Sequence, residues 1–183
     1  MEIHFLSNNP YKIAEVQAFF GPKDVHVVPT QLKIEELQTE DVEALVHDKV
    51  LKAFLKIGRP LFVEHTRLHL AALNGLPGGL AQIFWDRLGP ELFAALVNGL
   101  PNQQVTAKTT IGYCDSRRIH YFEGEIKGTV PKAPAGNREF QWDCVFVPEE
   151  TSITLAELGA KKNEISMRRK ALDKFAAHLL ETK

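Results

Sequence analysis

Hydrophobic positions in the N-terminal third of the chain form short apolar runs that alternate with segments of helical spacing. The run at 3–6 predicts a strand, and Pro10 marks the first turn of the helix that follows it. A second short strand is predicted at 25–28. Apolar residues at helical spacing over 42–54, closed by Gly58, predict the next helix. This alternation is typical of an α/β protein.

The rest of the chain is predicted to contain further strands and a C-terminal helix. The predicted elements are an apolar strand at 61–63, a short helix at 92–97, strands at 105–113 and 118–125, a loop at 124–136 and a strand at 143–147. The last element is an amphipathic helix over 166–180, with Leu172 and Phe175 on its apolar side. We therefore expect a mixed β-sheet with flanking helices.

The composition suits one globular domain covering 1–183 and folded as two lobes, with 44% hydrophobic and 25% charged residues. A net charge of −1 gives no overall attraction to nucleic acid or an anionic membrane, although a local basic cluster could bind a small anion. The two cysteines, Cys114 and Cys144, do not indicate a disulfide framework. The sequence has no recognisable secretory signal and no apolar run long enough for a membrane helix, so we expect a soluble cytoplasmic protein.

The segment Ser7-Asn8-Asn9-Pro10-Tyr11-Lys12 places hydroxyl, amide and ammonium groups at the N-terminal end of the first predicted helix. Backbone N–H groups and the helix dipole favour an anion there, and Lys12 could pair with a phosphate. The alternative is a plain helix cap followed by an exposed lysine. Taken alone, the segment fits this alternative better.

Carboxylates stand in a polar stretch, at Glu35 and Glu36, and directly after the apolar strand at 61–63, at Glu64. Carboxylates at strand ends and in loops are the usual ligands of Mg²⁺ between a protein and bound phosphates. Glu35 and Glu36 could equally belong to a solvated surface. The position of Glu64 is harder to explain in that way.

Two further segments place aromatic or cationic groups next to predicted elements. Phe140 and Trp142 lie beside Asp143, and this group could stack a base and orient a water molecule, or could be core aromatics with an incidental carboxylate. The segment 161–169 holds four cations that could contact phosphates and a purine, or could form a solvated face. Nucleic-acid binding through 161–169 is disfavoured by the balanced overall charge.

Together and in this order, the segments resemble the inosine triphosphate pyrophosphatase family, also called the Ham1-like enzymes, over nearly the whole chain. SNNPYK looks like the family's Thr/Ser-x-Asn-x-x-Lys opening, and residues 61–78 look like its acidic strand end and its Ala-Leu-x-Gly-x-Pro-Gly turn. Residues 140–143 are similar to Phe-Gly-Tyr/Trp-Asp, and residues 162–168 to Lys-Asn-x-Ile-Ser-His-Arg. Four matches in the correct order are specific, whereas any one of them would not be.

The resemblance implies an α/β fold with two lobes around a central nucleotide-binding cleft, and a homodimer. Members of this family use Mg²⁺ to cleave nucleoside triphosphates between the α and β phosphates. They release pyrophosphate and a nucleoside monophosphate, and they prefer deaminated purines such as inosine and xanthosine. The resemblance therefore implies a nucleotide-metabolising hydrolase.

The resemblance also assigns roles to individual residues. The assigned residues are Ser7, Asn9 and Lys12 for the phosphates, Glu36 for the metal, Phe140, Trp142 and Asp143 for the base pocket, and Lys162, Ser166 and Arg168 for phosphate and base. Asp143 could also help to activate water. Glu64 and His65 lie at the strand end where the family has catalytic acidic residues.

Four positions depart from the family pattern. His65 stands where the family has an Asp that is expected to bind Mg²⁺ or position the attacking water. A neutral imidazole is a poor Mg²⁺ ligand, so Mn²⁺ or another transition ion could serve instead. Glu64 cannot simply take over, because neighbouring side chains on a strand point to opposite faces. Gln141 replaces a Gly and could crowd the base pocket, Met167 replaces a His that reads the purine, and Gln82 replaces a phosphate-binding Lys of eukaryotic-like members.

The spacing of His65 and His69 puts both on about the same side of the backbone, so a transition-metal site with Glu36 is one hypothesis. A histidine satisfied by its own hydrogen bonds is the simpler interpretation of His69. The retained groups favour an active pyrophosphatase with altered metal or base preference. The joint loss of the metal Asp and the base-reading His favours a catalytically weakened or inactive nucleotide-binding protein, and both hypotheses stay open at this point.

Overall fold

The computed structural model describes residues 1–181, which form a mixed β-sheet with helices packed on it. The strands are β1 (Glu2–Leu6), β2 (His26–Thr30), β3 (Leu61–Leu70), β4 (Pro77–Gly78), β5 (Gln104–Cys114), β6 (Ile119–Thr129) and β7 (Val147–Pro148). The α-helices are α1 (Pro10–Phe20), α2 (Val42–Ile57), α3 (Ala81–Asn98), α4 (Leu155–Leu158), α5 (Lys162–Ile165) and α6 (Met167–Glu181). Short 3₁₀ segments cover Ala71–Leu73, Gln141–Val145 and Gly159–Lys161.

The sheet contains both parallel and antiparallel pairs. Its strand order is β2-β1-β3-β5-β6-β7, and β4 pairs with β3 outside this path. β1 runs parallel to β2 and to β3, with His4 opposite Leu61, whereas β3–β4 and β6–β7 are antiparallel. This arrangement is the predicted mixed sheet with flanking helices.

The chain divides into two compact units. The first unit consists of Met1–His65, Thr109–Gly124 and the described residues from Arg168 onward, and the second of Thr66–Lys108 and Glu125–Met167. β3, β5 and β6 contribute residues to both units. The single domain with two lobes around a nucleotide-binding cleft stays a prediction.

The first unit has two apolar clusters, and β3 contributes to both because its side chains alternate between the faces of the sheet. Phe62 packs with residues of α1 and α6, including Phe20 and Phe175. Leu61 and Val63 belong to the other cluster, which contains the buried face of α2. This alternation fixes where the next two residues of β3 can point.

The second unit has one apolar cluster of its own. Leu68 and Leu70 of β3 pack there with Phe93 of α3, and the cluster also contains Trp142 and Met167. Trp142 lies 5.9 Å from Phe146 between ring centroids, so the aromatic rings of this segment form part of the packing.

Several predicted elements are confirmed with shifts of a few residues. α1 begins at Pro10, and α2 ends at Gly58, whose backbone adopts the left-handed conformation expected of a helix C-cap. The strands β5 and β6 and helix α6 also lie where the sequence predicts them, and β3 is longer than the predicted strand at 61–63. None of the helices within residues 1–181 is long and apolar enough to cross a membrane.

The predicted strand at 143–147 is wrong, because the chain winds into a 3₁₀ turn over Gln141–Val145 and pairs only at Val147–Pro148. Gln141 has a φ of 44°, which turns the chain at the point where a strand would have to begin. The buried run from Trp142 to Val145 also lacks the alternation of a strand with one buried face.

Two other predicted boundaries are wrong, and in both places a glycine lies within the element that the structure forms. β6 continues to Thr129 through Gly128, where a Cβ would collide with the Val147 carbonyl oxygen and the Phe146 ring. The predicted helix at 92–97 is the second half of α3, which kinks at Gly89 and therefore hides its first half from a simple periodicity.

We predict that Gly112→Ala destabilises the first unit. A Cβ at Gly112 of β5 would lie 2.5 Å from Val46 Cγ1 and 2.8 Å from Val50 Cγ2, both on the buried face of α2. Overpacking of this kind costs about 1–3 kcal/mol in the free energy of unfolding, measured by urea titration. The control is Gly99→Ala, an exposed position at the end of α3 where a Cβ would meet nothing closer than 3.4 Å. Equal losses in the two variants would contradict close packing of α2 on β5.

Candidate functional site

A buried carboxylate on β3 is the centre of an ion-pair cluster in the first unit. Glu64 is 5% exposed, and its Oε1 lies 3.2 Å from Lys12 Nζ. Arg168 donates to both of its oxygens, with Nε 2.7 Å from Oε2 and Nη2 3.1 Å from Oε1. Arg168 Nη1 also donates to Glu15 Oε2. These four residues are called the Glu64 cluster below.

The elements of the first unit explain why these side chains meet. Glu64 follows Phe62 by two residues on β3, so it points to the same face, on which α1 and α6 pack. Lys12 and Glu15 are three residues apart on α1 and therefore share one side of that helix. Arg168 lies in the first turn of α6. The cluster thus joins one strand to the first turns of two helices.

The start of α1 is capped by Asn9. Its Oδ1 accepts hydrogen bonds from the backbone N–H of Tyr11 at 3.0 Å and of Lys12 at 3.2 Å. The Asn9 backbone N–H in turn donates to Ser7 Oγ at 3.2 Å. Ser7 and Asn9 therefore take part in the helix cap that the sequence offered as an alternative, and they place Lys12 toward Glu64.

Burial and pairing shift the ionisation of both cations in the cluster. Burial lowers the pKa of Lys12, and Arg168 lowers it further, while Glu64 opposes both. Burial also acts to lower the pKa of Arg168, but the carboxylates of Glu64 and Glu15 outweigh it and raise that pKa. The two carboxylates and two cations balance in formal charge, which is the condition for placing four ionisable groups in a protein interior.

His65 points to the opposite face of β3, on which α2 packs with Leu61 and Val63. Its Nε2 is buried and has no hydrogen-bond partner. Burial is the main reason that the pKa of His65 falls to about 4, and the ammonium groups of Lys12 and Lys49 lower it further. The imidazole is therefore neutral at pH 7, and in the tautomer protonated on Nδ1 it has a lone pair on the buried Nε2.

Glu36 and Lys49 form an ion pair in the same region of the first unit. The Glu36 side chain is 40% exposed and that of Lys49 is 13% exposed. Burial acts to raise the pKa of Glu36, but Lys49 outweighs it and the pKa is lowered, with smaller contributions from His65 and Lys12. The carboxylate is thus ionised at neutral pH and accessible to a ligand.

Lys49 was missed from the sequence, although its position carries a signal. It lies on α2 between Val46, Val50 and Ala53, which form the buried side of the helix. A lysine held largely out of solvent at such a position usually has a charged partner. Glu15 was also missed, because its role appears only when Arg168 is brought to it from a distant part of the chain.

The second unit holds another ion pair next to an aromatic ring. Asp143 is buried, and its Oδ2 lies 2.5 Å from Lys162 Nζ at the start of α5. The same ammonium group lies 3.9 Å above the centre of the Phe140 ring, which is half-buried. Trp142 is buried behind this segment and packs against Phe146. The structure therefore brings together Phe140, Asp143 and Lys162, three of the residues to which the resemblance assigns a role.

Three residues near the start of α6 make contacts within the protein, and the roles in nucleotide binding that the resemblance implies for Ser166 and Arg168 stay predictions. Ser166 is buried, and its backbone N–H donates to the Lys162 carbonyl oxygen at 2.9 Å, at the junction of α5 and α6. Met167 is a core residue of the second unit. Each nitrogen of the Arg168 guanidinium has a carboxylate partner, so in this structure Arg168 positions Glu64.

The hypothesised site of His65, His69 and Glu36 is wrong as a preformed metal centre. His69 Nδ1 lies 3.0 Å from the Gly75 carbonyl oxygen, and His69 Nε2 accepts a hydrogen bond from Arg67 Nε at 3.1 Å. Both nitrogens of His69 are therefore engaged. Among residues 1–181 there is no group of three or more His, Cys, Asp or Glu side chains that could hold a metal ion.

The residues of the first unit nevertheless fit a cation that is held mainly by a bound phosphate chain. Mg²⁺ commonly takes one or two protein carboxylates and completes its coordination with phosphates and water. Glu36 offers one accessible carboxylate, and His65 offers a nitrogen that suits Mn²⁺ or another transition ion better than Mg²⁺.

Comparison with known proteins gives one consistent result. The model of the Ham1 family matches residues 3–178 of this chain. A dITP/XTP pyrophosphatase from Pyrobaculum aerophilum is 32% identical over 180 residues, covering 98% of this chain and 96% of the relative. An inosine triphosphate pyrophosphatase from Saccharomyces cerevisiae is 35% identical over 191 residues, covering 98% and 96%. A solved HAM1 protein from Coxiella burnetii superposes with a TM-score of 0.81 at 22% identity over 99% of both chains, which shows the same fold.

We predict that His65 makes the stability of the protein depend on pH between about 4 and 6.5. The folded state lowers the pKa of His65 from 6.5 to about 4, so the unfolded state binds more protons in this range. The free energy of unfolding should fall by up to ~3 kcal/mol as the pH drops through this window, and the full contribution is present above pH 6.5. Urea titrations of the wild type and His65→Asn at pH 7.5, 5.5 and 4.5 measure it. Parallel pH profiles for the two proteins would show that His65 does not contribute.

Proposed function

The chain belongs to the Ham1 family, and on that premise we propose that it hydrolyses non-canonical purine nucleoside triphosphates to a nucleoside monophosphate and pyrophosphate. The observation that carries the proposal is the group of charges around His65 in the first unit. Two ammonium groups, Lys12 and Lys49, and one accessible carboxylate, Glu36, all influence this neutral imidazole. Two ammonium groups and a half-exposed carboxylate suit a phosphate chain with its bound cation.

Lys12 and Lys49 bind the phosphates in this proposal. Burial lowers the pKa of Lys12, so an arriving polyanion strengthens its protonated form and gains an interaction that water would otherwise screen. Ser7 and Asn9 hold the N-terminal turn of α1 in place and thereby orient Lys12. Their contribution to phosphate binding is chiefly the geometry of this turn.

Glu36 and His65 are the groups that would hold the divalent cation, which we propose is Mg²⁺ or Mn²⁺. When bound, the cation neutralises negative charge on the phosphates and makes the phosphorus atom easier to attack. The lone pair of the His65 imidazole can either coordinate the cation or accept a proton from the attacking water. Glu64 is held by Lys12 and Arg168, and it supports the reaction by keeping Lys12 in position.

The second unit supplies the base pocket in this proposal. Phe140 offers a half-buried aromatic face for stacking on a purine, and Trp142 supports it from the core. Asp143 and Lys162 are paired beside the ring, so they can contact polar atoms of the nucleotide, and Asp143 can help to activate water. Ser166, at the junction of α5 and α6, contacts the phosphate or the base in this proposal. The homodimer and the cytoplasmic location stay predictions.

We expect pyrophosphate release from ITP, XTP and dITP to exceed release from ATP, CTP, GTP and UTP at equal concentration. Each nucleotide is assayed with Mg²⁺, Mn²⁺ and Zn²⁺, and the nucleoside monophosphate is identified as the second product.

A preference for Mn²⁺ or Zn²⁺ over Mg²⁺ supports a nitrogen ligand at His65. Equal rates with Mg²⁺, together with loss of activity on acidification, support a proton-accepting role instead. Nucleotide binding by calorimetry without turnover of any substrate would refute the proposed hydrolysis and leave a nucleotide-binding protein.

We predict that His65→Asp raises Mg²⁺-dependent turnover about tenfold or more, because a carboxylate there adds a hard ligand and a negative charge next to the cation. The measurement is the rate of pyrophosphate release from ITP over a range of Mg²⁺ concentrations. His26→Asp makes the same replacement at an exposed position of β2 and serves as the matched control. No gain in His65→Asp would mean that the neutral imidazole does not limit the use of Mg²⁺.

A further inference from the structure

Three polar side chains of the second unit form a hydrogen-bond chain next to Phe140. Gln141 Nε2 donates to Gln82 Oε1 at 2.8 Å, and Gln82 Nε2 donates to Asp86 Oδ1 at 2.7 Å. Gln82 and Asp86 are one turn apart on α3, whereas Gln141 begins the 3₁₀ turn that follows Phe140. The chain of bonds therefore joins α3 to the segment that carries the aromatic ring.

The chemistry of Asp86 fixes the direction of this hydrogen-bond chain. An ionised carboxylate only accepts hydrogen bonds, so Gln82 must turn its amide nitrogen toward Asp86 and its oxygen toward Gln141. Gln141 must then turn its nitrogen toward Gln82. One N–H and the oxygen of the Gln141 amide are left for another partner. Their orientation is set by Asp86, which is linked to Gln141 through two successive hydrogen bonds.

The backbone of Gln141 carries a second, independent indication of a functional position. Its φ of 44° lies in the left-handed region, which a glycine adopts without strain and a glutamine adopts only at a cost in backbone energy. Strained backbone of this kind occurs preferentially at sites that contact ligands. Gln141 directly follows Phe140, whose ring already has the Lys162 ammonium group above it. The residue with this unusual backbone therefore carries its amide directly next in sequence to the aromatic ring.

We propose that Gln141 reads the polar edge of the purine, and that Asp86, acting through Gln82, sets the orientation in which it reads. This inference rests on the proposed function, because it takes Phe140 as a wall of the base pocket. A 6-oxopurine presents an acceptor at O6 and a donor at N1, whereas adenine presents a donor at N6 and an acceptor at N1. An amide of fixed orientation can pair twice with only one of these patterns. The proposed function takes 6-oxopurine nucleotides as substrates, so the 6-oxopurine is the pattern that this inference assigns to Gln141.

The test compares the binding of IMP and AMP, which have no anhydride bond to hydrolyse, by calorimetry. We expect the wild type to bind IMP more tightly than AMP. Gln141→Gly removes the amide and suits the left-handed backbone, so the variant should fold normally while the IMP-to-AMP affinity ratio falls about tenfold, as expected for two neutral hydrogen bonds. Asp86→Asn keeps the shape but lets the chain of amides reverse, so the ratio should fall by about threefold or more.

The control is Asp173→Asn, which makes the same replacement in an exposed ion pair with Arg169 on α6 and should leave the ratio unchanged. If Asp86 or Gln141 had only a structural role, its replacement would weaken the binding of IMP and AMP equally. The proposal requires the IMP-to-AMP affinity ratio to change. A wild-type ratio in Gln141→Gly would overturn the inference, as would failure of the protein to bind either nucleotide.

The fate of the proposed hydrolysis is read separately, from the kcat/KM values for ITP and ATP in the same variants. A lower IMP-to-AMP ratio without any triphosphate turnover would support the base-reading role of Gln141 and refute the proposed function. Turnover that favours ITP to the same degree in the wild type, Gln141→Gly and Asp86→Asn would support the proposed function and refute this inference.

Discussion

A carboxylate that is removed from water must be paired, and Glu64 meets this requirement with two cations from two helices. Lys12 comes from the first turn of α1 and Arg168 from the first turn of α6. Loss of one partner would leave an uncompensated charge in the interior, so the positions of both helix starts depend on the same carboxylate. The ammonium group of Lys12 and the guanidinium group of Arg168 are therefore held in place by pairing within the protein. In the proposed function, this would reduce the ordering that phosphate binding requires.

The alternation of side chains along β3 separates this cluster from His65. Glu64 lies on the face of β3 on which α1 and α6 pack, while His65 lies on the face on which α2 packs. A change of residue at position 65 therefore alters the ligands and charge beside Glu36 and Lys49 and leaves the pairing of Glu64 intact. Compared with the Asp that the family has at this position, the neutral imidazole of His65 leaves one negative charge fewer near the ammonium groups of Lys12 and Lys49.

The second unit shows two different outcomes of departing from the family pattern. Met167 is buried in the apolar core and has no polar group to offer a base. Gln141 instead places an amide next to Phe140 in the chain, and its backbone lies in the left-handed region. In the proposed base pocket, Gln141 and the ion pair of Asp143 and Lys162 are the polar groups next to Phe140. The neighbouring Cys144 is a free thiol buried in the same apolar cluster as Met167.

The sequence by itself determined the elements whose signals are local. Pro10 at the start of α1, the apolar periodicity of α2 and Gly58 at the end of α2 are such signals. They depend on neighbouring residues only, and they predicted these two helices well. The ordered motifs also located Lys12, Glu64, Asp143 and Lys162. Only the tertiary structure decided which of these residues meet, because Arg168 reaches Glu64 across 104 positions of the chain. The same holds for Gly128, which packs closely against Val147 and Phe146, and for Gln141, which donates a hydrogen bond to Gln82. No local pattern in the sequence records such contacts.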